Sequence, residues 1–543
     1  MAEGWDERAE GWDERADVVI VGFGAAGACA AIEAAEAGAD VLVLERFGGG
    51  GATAVSGGVV YAGGGTDVQR AAGVEDTPEA MYDYLSQEVG DAVSPATLRR
   101  FCTGSAEQIA WLAERGVPFE GSLCPYKTSY PTNRHYLYYS GSEISSSDRA
   151  KPAPRGHRTR GRGTSGAVLF ARLAATARAR GVRVRTQTSA SRLVTDPDGR
   201  VTGVECRTLT GAPWWVRTAH RVLHRLSVKP GLYLPPLSRA LRRPVTRLEA
   251  RYGRRLLVAA PGGVVLAAGG FVTNRRLVRE HAPAYRIGLP LGTTGDDGTG
   301  IRLGTDLGAA TGKLGQVSLW RFLTPPAAML HGVLVDRDGR RVCDEARYGA
   351  AIGDAVLHRA GGQAWLLVDR AVLAEARRQV RGQTLWFQRI QVRSLLSHDR
   401  VSAPTIAGVA ARAGVDAEAL LATVAAHNAA AEAGEPDPAG KPAEFVRALT
   451  EAPYSLIDCS VRPRLAQPAP MLTLGGLLVD EETGEVRRAD GTPLPGLYAA
   501  GRTAVGICSN SYVSGLSIAD CVFSGRRAGR HAATRTSLWK VTG

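Results

Sequence analysis

Val18-Val-Ile-Val21, then Gly22-Phe-Gly24-Ala-Ala-Gly27, then Glu45 eighteen residues past the last glycine: this stretch decides how the chain folds. The four apolar residues form the unbroken run of a strand buried on both faces. Ala25 to Ala37 reads as a helix of small residues, and Val41-Leu-Val-Leu44 as the next strand, with Glu45 at its end. In the turn between, the first glycine makes the tight bend and the second lets the backbone approach a pyrophosphate. The third lets helix and strand pack closely. The helix start then offers unpaired N–H groups and the positive end of its dipole to phosphates. Glu45 can accept hydrogen bonds from ribose hydroxyls, and an acid there disfavours the 2′-phosphate of NADP.

A second glycine cluster follows at once, Gly48 to Gly51, then Ala52-Thr53 and Ser56-Gly57-Gly58. A plain NAD domain has no need of it. FAD does, because a ribityl chain and ring must thread past more backbone.

Working outward, 543 residues are too many for one core and imply two or three domains. The expected class is α/β. A Rossmann-like FAD-binding domain is assembled from both chain ends (17–316 and 471–535), and an α+β catalytic cap is inserted at 317–470. Residues 1–16 carry a tandem duplication, Glu3-Gly-Trp-Asp-Glu-Arg-Ala9 and Glu10-Gly-Trp-Asp-Glu-Arg-Ala16, read as a disordered or loosely docked arm. A loop from Ser122 to Gly163 is far longer than an ordinary connection, so it is functional or mobile. The apolar stretch Leu256–Thr273 is split by Pro261-Gly262-Gly263 into two runs, expected to be paired strands rather than a membrane span. Met1 is followed by acidic residues instead of a basic and apolar leader, which points to a cytoplasmic protein.

The net charge of +13 is concentrated in an insertion at 213–255: from Arg217 to Arg255 there are eleven Lys or Arg residues and one acid, Glu249. Such a segment suits peripheral contact with an anionic membrane surface, or it is a solvated insertion. No nucleic-acid motif accompanies it, so nucleic acid is not expected as a partner. The eight cysteines are scattered without a CxxC pair, which reads as reduced core thiols and no metal site.

Further segments carry a family resemblance: Ala268-Gly-Gly-Phe271, Thr294-Gly-Asp-Asp-Gly298, Gly339-Arg-Arg-Val-Cys-Asp-Glu345, Thr473-Leu-Gly-Gly476, Gly496-Leu-Tyr-Ala-Ala-Gly501, Ser514-Gly-Leu-Ser517 and Gly525-Arg-Arg-Ala-Gly529. With the fingerprint they resemble the flavoprotein family of fumarate reductases and 3-ketosteroid dehydrogenases over nearly all of Asp17–Ala533, the basic insertion excepted. The resemblance implies a noncontiguous FAD domain with a mobile cap and chemistry between them. It also implies FAD contacts from Ala25, Ala26, Arg46, Ala268, Gly269, Gly270, Asp297, Gly501, Arg502, Gly515, Leu516, Ser517 and Ile518.

Departures from the family pattern select among its members. Met471 stands where fumarate reductases have a histidine, Tyr512 where they have an arginine, and Tyr348-Gly349 where their proton-donating arginine is expected; a small shift would bring in Arg347. These losses argue against a dicarboxylate, which arginine forks bind. Tyr348, Tyr512 and Ser514 resemble instead the hydroxyl set of the 3-ketosteroid Δ4-(5α)-dehydrogenase-like branch. That likeness implies α,β-dehydrogenation of a cyclic ketone (steroid, polyketide or terpenoid), with an electron acceptor that the sequence does not identify. Two alternatives use the same features: an ene-reductase running the reverse reaction, and a non-catalytic flavin sensor at a membrane surface.

Overall fold

The computed structural model describes residues 11–233, 235–462 and 469–542. The first heptapeptide copy therefore lies outside the described residues. Its framework is a six-stranded sheet drawn from distant parts of the chain: β1 (Val18–Val21), β2 (Val41–Leu44), β3 (Arg183–Arg185), β4 (Gly263–Leu266), β5 (Glu485–Arg487) and β6 (Pro493–Ala499), in the order β5-β6-β4-β1-β2-β3. All pairings are parallel except β5 on β6. Every residue of β1, β2 and β4 is buried, as unbroken Val/Ile/Leu runs require. β1 sits between β2, which follows it directly, and β4, which returns some 240 residues later. That reversal opens a crevice at the carboxyl ends of the strands.

Helix α1 (Ala25–Glu36) leaves β1 and is buried along Ala25–Ala34. Its small residues admit close neighbours on both sides. The long C-terminal helix α5 (Leu516–Thr542) crosses it at Gly525 and Gly529, where an added Cβ would lie 2.5 Å from Ala26 O and 2.2 Å from Ala30 O. This is the physical content of Gly525-Arg-Arg-Ala-Gly529: α5 is pressed onto α1, and its N-terminus is fixed at the crevice.

The two runs of Leu256–Thr273 do not pair with each other, contrary to the sequence expectation. Arg254–Ala259 pairs with Val201–Thr208 in a separate four-stranded sheet, and Gly263–Leu266 is β4. The corner between them turns at Gly263, whose φ is +129° and whose Cβ would meet Gly496 O at 2.7 Å, so the chain passes from one sheet to the next. The second heptapeptide copy is docked. Glu14–Arg15 adds a parallel strand to Val258–Ala259, Trp12 lies against Gly203, and Ala16 is buried.

The basic insertion is a helical hairpin, α3 (Trp214–Tyr233) and α4 (Pro235–Tyr252). Residues 333–458 build a second layer, a four-stranded antiparallel sheet of Val333–Val335, Trp365–Val368, Tyr454–Asp458 and Arg400–Ala403, with the helices Trp386–Ser397 and Ile406–Ala413 against it. Buried apolar side chains run without a break from Val19 and Leu266 through Leu319 to Leu366 and Leu456. No described helix is long and apolar enough to cross a membrane.

Candidate active site

A cavity of about 600 Å³ opens at the carboxyl end of β1 and runs from the glycine turn to Tyr512. At one end, Gly22 has φ +103° and its Cβ would lie 2.5 Å from Ala267 O, while Gly27's would lie 2.0 Å from Gly22 O. Both are glycines because backbone already fills the space. Gly24 differs. Its nearest neighbour would be Thr53 Oγ1 at 3.6 Å, so it borders the open cavity rather than packed protein. Ala25 N donates to Thr53 Oγ1 at 3.0 Å, which ties the start of α1 to the short helix α2 (Gly51–Val55). The N-cap residues of the two helices, Gly24 and Gly50, supply no side-chain cap of their own, as suits an anion site made of backbone N–H groups.

Glu45 accepts Phe47 N at 2.7 Å on one carboxylate oxygen and Phe23 N at 3.0 Å on the other. Burial pushes its carboxyl up, and the backbone donors pull it back. Each oxygen keeps a lone pair for a ribose hydroxyl. Beyond the turn, Ala26, Ala52, Thr53, Ser56, Gly57, Gly58, Ala268, Gly269, Gly501, Arg502, Gly515, Ser517 and Ile518 all border the cavity.

Three of the expected cofactor residues do not. Gly27 and Leu516 are packed behind the wall, and Gly270 is packed against Thr473, whose Oγ1 would lie 2.5 Å from an added Cβ. Arg46 and Asp297 line it but engage each other at 2.8 Å. Asp296, which sequence reasoning passed over, pairs with Arg502 at 2.6 Å. Arg502 Nη1 is buried without a hydrogen-bond partner among the described residues. An open diphosphate-sized turn and a buried guanidinium donor facing the same cavity are features that a bound FAD would complete.

At the other end stand the hydroxyls. Tyr512 and Ser514 lie just before α5, and Tyr348 just before the helix Gly349–Arg359. The Tyr348 and Tyr512 rings are 6.4 Å apart, so the structure brings together three residues separated by up to 166 positions. Trp320 stands edge-on to Tyr512 at 5.1 Å, and Phe322 flanks Tyr348 at 6.0 Å. Ser142 Oγ accepts Tyr348 N at 3.0 Å and fixes its backbone.

A further phenol joins them. Tyr138 Oη and Ser514 Oγ are 3.2 Å apart, and Ser140 Oγ donates to Ser514 O at 3.1 Å. Burial pushes the phenols of Tyr138, Tyr348 and Tyr512 well above their ordinary value. The hydroxyl of Ser514 draws Tyr348 back, and the backbone N–H of Gly515 does so for Tyr512. All three are therefore neutral donors at physiological pH. Tyr138 had one signal in the sequence, the excessive length of the loop 122–163 that carries it. Trp320 and Phe322 had none.

Arg347 does not restore a family arginine: it lines a separate small cavity with Lys127 and Glu345. Met471 packs against Gly288, and Leu472 faces the large cavity in its stead.

Three kinds of comparison agree with this geometry. The family described as FAD binding domain matches residues 17–515. The chain is 39% identical to the 3-oxo-5-alpha-steroid 4-dehydrogenase of Comamonas testosteroni over 89% of this chain and 92% of that one. It is 24% identical to a fumarate reductase (cytochrome) of Shewanella frigidimarina over 95% of this chain and 77% of that one. Among solved structures, the 3-ketosteroid-Δ4-(5α)-dehydrogenase of Rhodococcus jostii RHA1 in complex with 4-androstene-3,17-dione superposes with a TM-score of 0.81 at 32% identity, covering 97% and 98% of the two chains.

Proposed function

The chain belongs to the FAD binding domain family, and from that premise we propose that it is an oxidoreductase removing two hydrogens across the carbon–carbon bond beside the carbonyl of a cyclic ketone, with a 3-ketosteroid as the leading substrate. FAD, when bound, supplies the two-electron acceptor that takes the hydride from the β-carbon. The observation that carries the reading is the cluster of three neutral phenols around one serine at the end of the cavity remote from the phosphate turn.

In this reading Tyr512, with the N–H of Gly515, donates to the ketone oxygen and draws charge toward it. Polarisation of that kind acidifies the α-carbon, which is necessary because an unaided serine or tyrosine is a weak base. Ser514 Oγ takes the α-proton as it passes its own to a neighbouring phenol, which in turn releases its hydroxyl proton onward toward solvent. Tyr348 is the partner favoured by the family likeness, and Tyr138 is favoured by the 3.2 Å contact. Trp320, Phe322 and Leu472 provide an apolar wall that excludes water and suits a hydrophobic ring system. The reading is tested by offering a panel of saturated cyclic ketones with an artificial electron acceptor and following formation of the conjugated enone. No turnover of any ring ketone would refute it.

We further propose that 317–470 acts as a cap over an FAD domain built from 17–316 and 471–535; residues 463–468 lie outside the described residues. Support comes from Trp320, Phe322, Tyr348 and Pro470, which enter the cavity from that segment. Peripheral contact with an anionic membrane is supported by the outer face of the hairpin, where Trp214 (77% exposed), Trp215, Val222 and Leu226 stand beside exposed Arg217, Arg221 and Arg225. Co-sedimentation with phosphatidylserine vesicles, compared with phosphatidylcholine ones, tests it.

A further inference from the structure

The same hairpin has an inner face, and from it we infer that α3 and α4 form a clasp over the adenosine end of the FAD cleft which sets how fast the cofactor leaves. The inference rests on the FAD reading above. It starts from where the hairpin is inserted. Thr208 and Arg254, its two anchors, are directly paired in the antiparallel ladder of Val201–Thr208 and Arg254–Ala259. That sheet is complete without α3 and α4, so the hairpin is an excursion from a strand turn rather than a support of the fold.

Its contacts with the body converge on one place. Glu249 of α4 accepts both Nε (2.9 Å) and Nη2 (2.8 Å) of Arg46, and its Oε1 also meets His220 Nε2 at 3.0 Å. Arg46 reaches on to Asp297 at 2.8 Å and so joins hairpin, strand end and the 293–297 loop. One turn from His220, the ring of His224 lies flat on Phe47, with centroids 3.6 Å apart and planes 6° from parallel, and its Nδ1 meets Thr294 Oγ1 at 3.0 Å. Farther along α4, Arg242 donates to Thr273 O at 3.0 Å.

Arg46 and Phe47 immediately follow Glu45, the ribose acceptor, and His224 and Glu249 line the same cavity as Gly22 and Gly24. The one acid of a strongly basic segment is thus spent on the residue beside the ribose site. A bidentate arginine–carboxylate pair is a strong, directional contact, and a flat ring stack adds a second. A structural filler would not need both on the residues next to the nucleotide.

Cofactor release from the purified holoprotein tests the clasp, followed as the rise of free-FAD fluorescence after dilution. Glu249→Ala is expected to speed release about tenfold or more, and His224→Ala roughly two- to tenfold. His224→Phe keeps the flat stack and is expected to restore slow release, which a general loss of packing would not do. Replacing 212–252 by a short Gly-Ser link across Thr208 and Arg254 is expected to leave a folded protein that binds FAD and loses it fastest of all. A wild-type protein that holds FAD while Glu249→Ala and His224→Ala release it within twofold of wild type would overturn the clasp alone. A wild-type protein that binds no FAD would overturn the cofactor reading and the clasp with it.

Discussion

Gly24→Val separates the cofactor reading from mere fold stability. Gly24 has φ −92° and ψ −162°, a conformation open to valine, and its Cβ position meets nothing closer than Thr53 Oγ1 at 3.6 Å. The folded protein therefore loses little, about 1 kcal/mol for a poor helix-capping residue. The added branches occupy the cavity in front of the α1 N-terminus, where the diphosphate must approach. If two charge-assisted hydrogen bonds at roughly 1.5–3 kcal/mol each are lost, binding weakens by about 3–6 kcal/mol. At 1.4 kcal/mol per tenfold, that is a factor of about 10²–10⁴ in Kd. Fluorescence titration of apoprotein with FAD measures it, with the apoprotein melting temperature as the control for folding. Gly22→Ala is the counterpart: its φ of +103° and the 2.5 Å approach to Ala267 O make it a folding defect first, with a larger fall in melting temperature. A Gly24→Val protein as yellow as wild type would refute the reasoning.

Tyr512→Phe and Ser514→Ala should each lower turnover by a factor on the order of 10²–10⁴ with FAD retained, and the double variant should fall by less than the product because the groups act as a unit. Effects under about tenfold for both would assign them to packing. Tyr138→Phe should slow the proton step, read as a larger deuterium effect with α-deuterated ketone, and an unchanged isotope effect and rate would exclude it. Succinate and fumarate should bind no more tightly than millimolar, since the cavity wall holds Tyr512 and Leu472 rather than an arginine–histidine set; submillimolar binding by either contradicts this. Burial, helped by the charges of His220 and Arg46, holds His224 down to about 4. An exposed histidine titrates near 6.5, so acidification from about pH 7 toward 4 favours the open hairpin, and FAD release should accelerate across that window. Glu249, held at about 2 by His220 and Arg46, has the same sign in a lower window: its stabilisation is full above its open-state value and is lost as pH falls below that toward 2. A release rate flat from pH 7 to 5 would refute the His224 contribution.

The nucleotide half of the cavity was legible because local spacing encodes it. Strand, turn, helix and acid lie within 28 residues, and Gly27 is forced by Gly22 O, a neighbour that the motif itself brings close. Tyr512 and Ser514 were legible only through likeness to a family, since nothing in a Tyr-x-Ser string states that a phenol from residue 138 will face it. Contacts between positions 138, 348 and 514 depend on how β1, α5 and the 317–470 segment pack, and no local pattern records that. Leu256–Thr273 shows the same limit. Its apolar content correctly indicated strands, but which sheet each joins is decided at Gly263 by a backbone approach from residue 496, which composition does not encode.

The basic insertion was only half legible, for a more instructive reason. Eleven cations against one acid suggested a membrane-facing or solvated segment, because a sum of charges weighs every side chain equally. A helix does not. At 3.6 residues per turn, the sector of α3 holding His220, His224 and Ser227 is centred about 90° around from the one holding Arg217, Arg221 and Arg225, and the former are buried or half-buried while the latter are exposed. The informative residue was the exception to the sum. A lone carboxylate among so many guanidinium groups gains enough from partial burial only if an ordered cation meets it, and Arg46 does so bidentately. Net charge therefore described only the basic outer face and said nothing of the inner one, where the hairpin meets the proposed cofactor site. Reversing the outer face (Arg221→Glu with Arg225→Glu) should accordingly abolish any binding to phosphatidylserine vesicles while leaving FAD release unchanged; a parallel change in both would show that the two faces do not act independently.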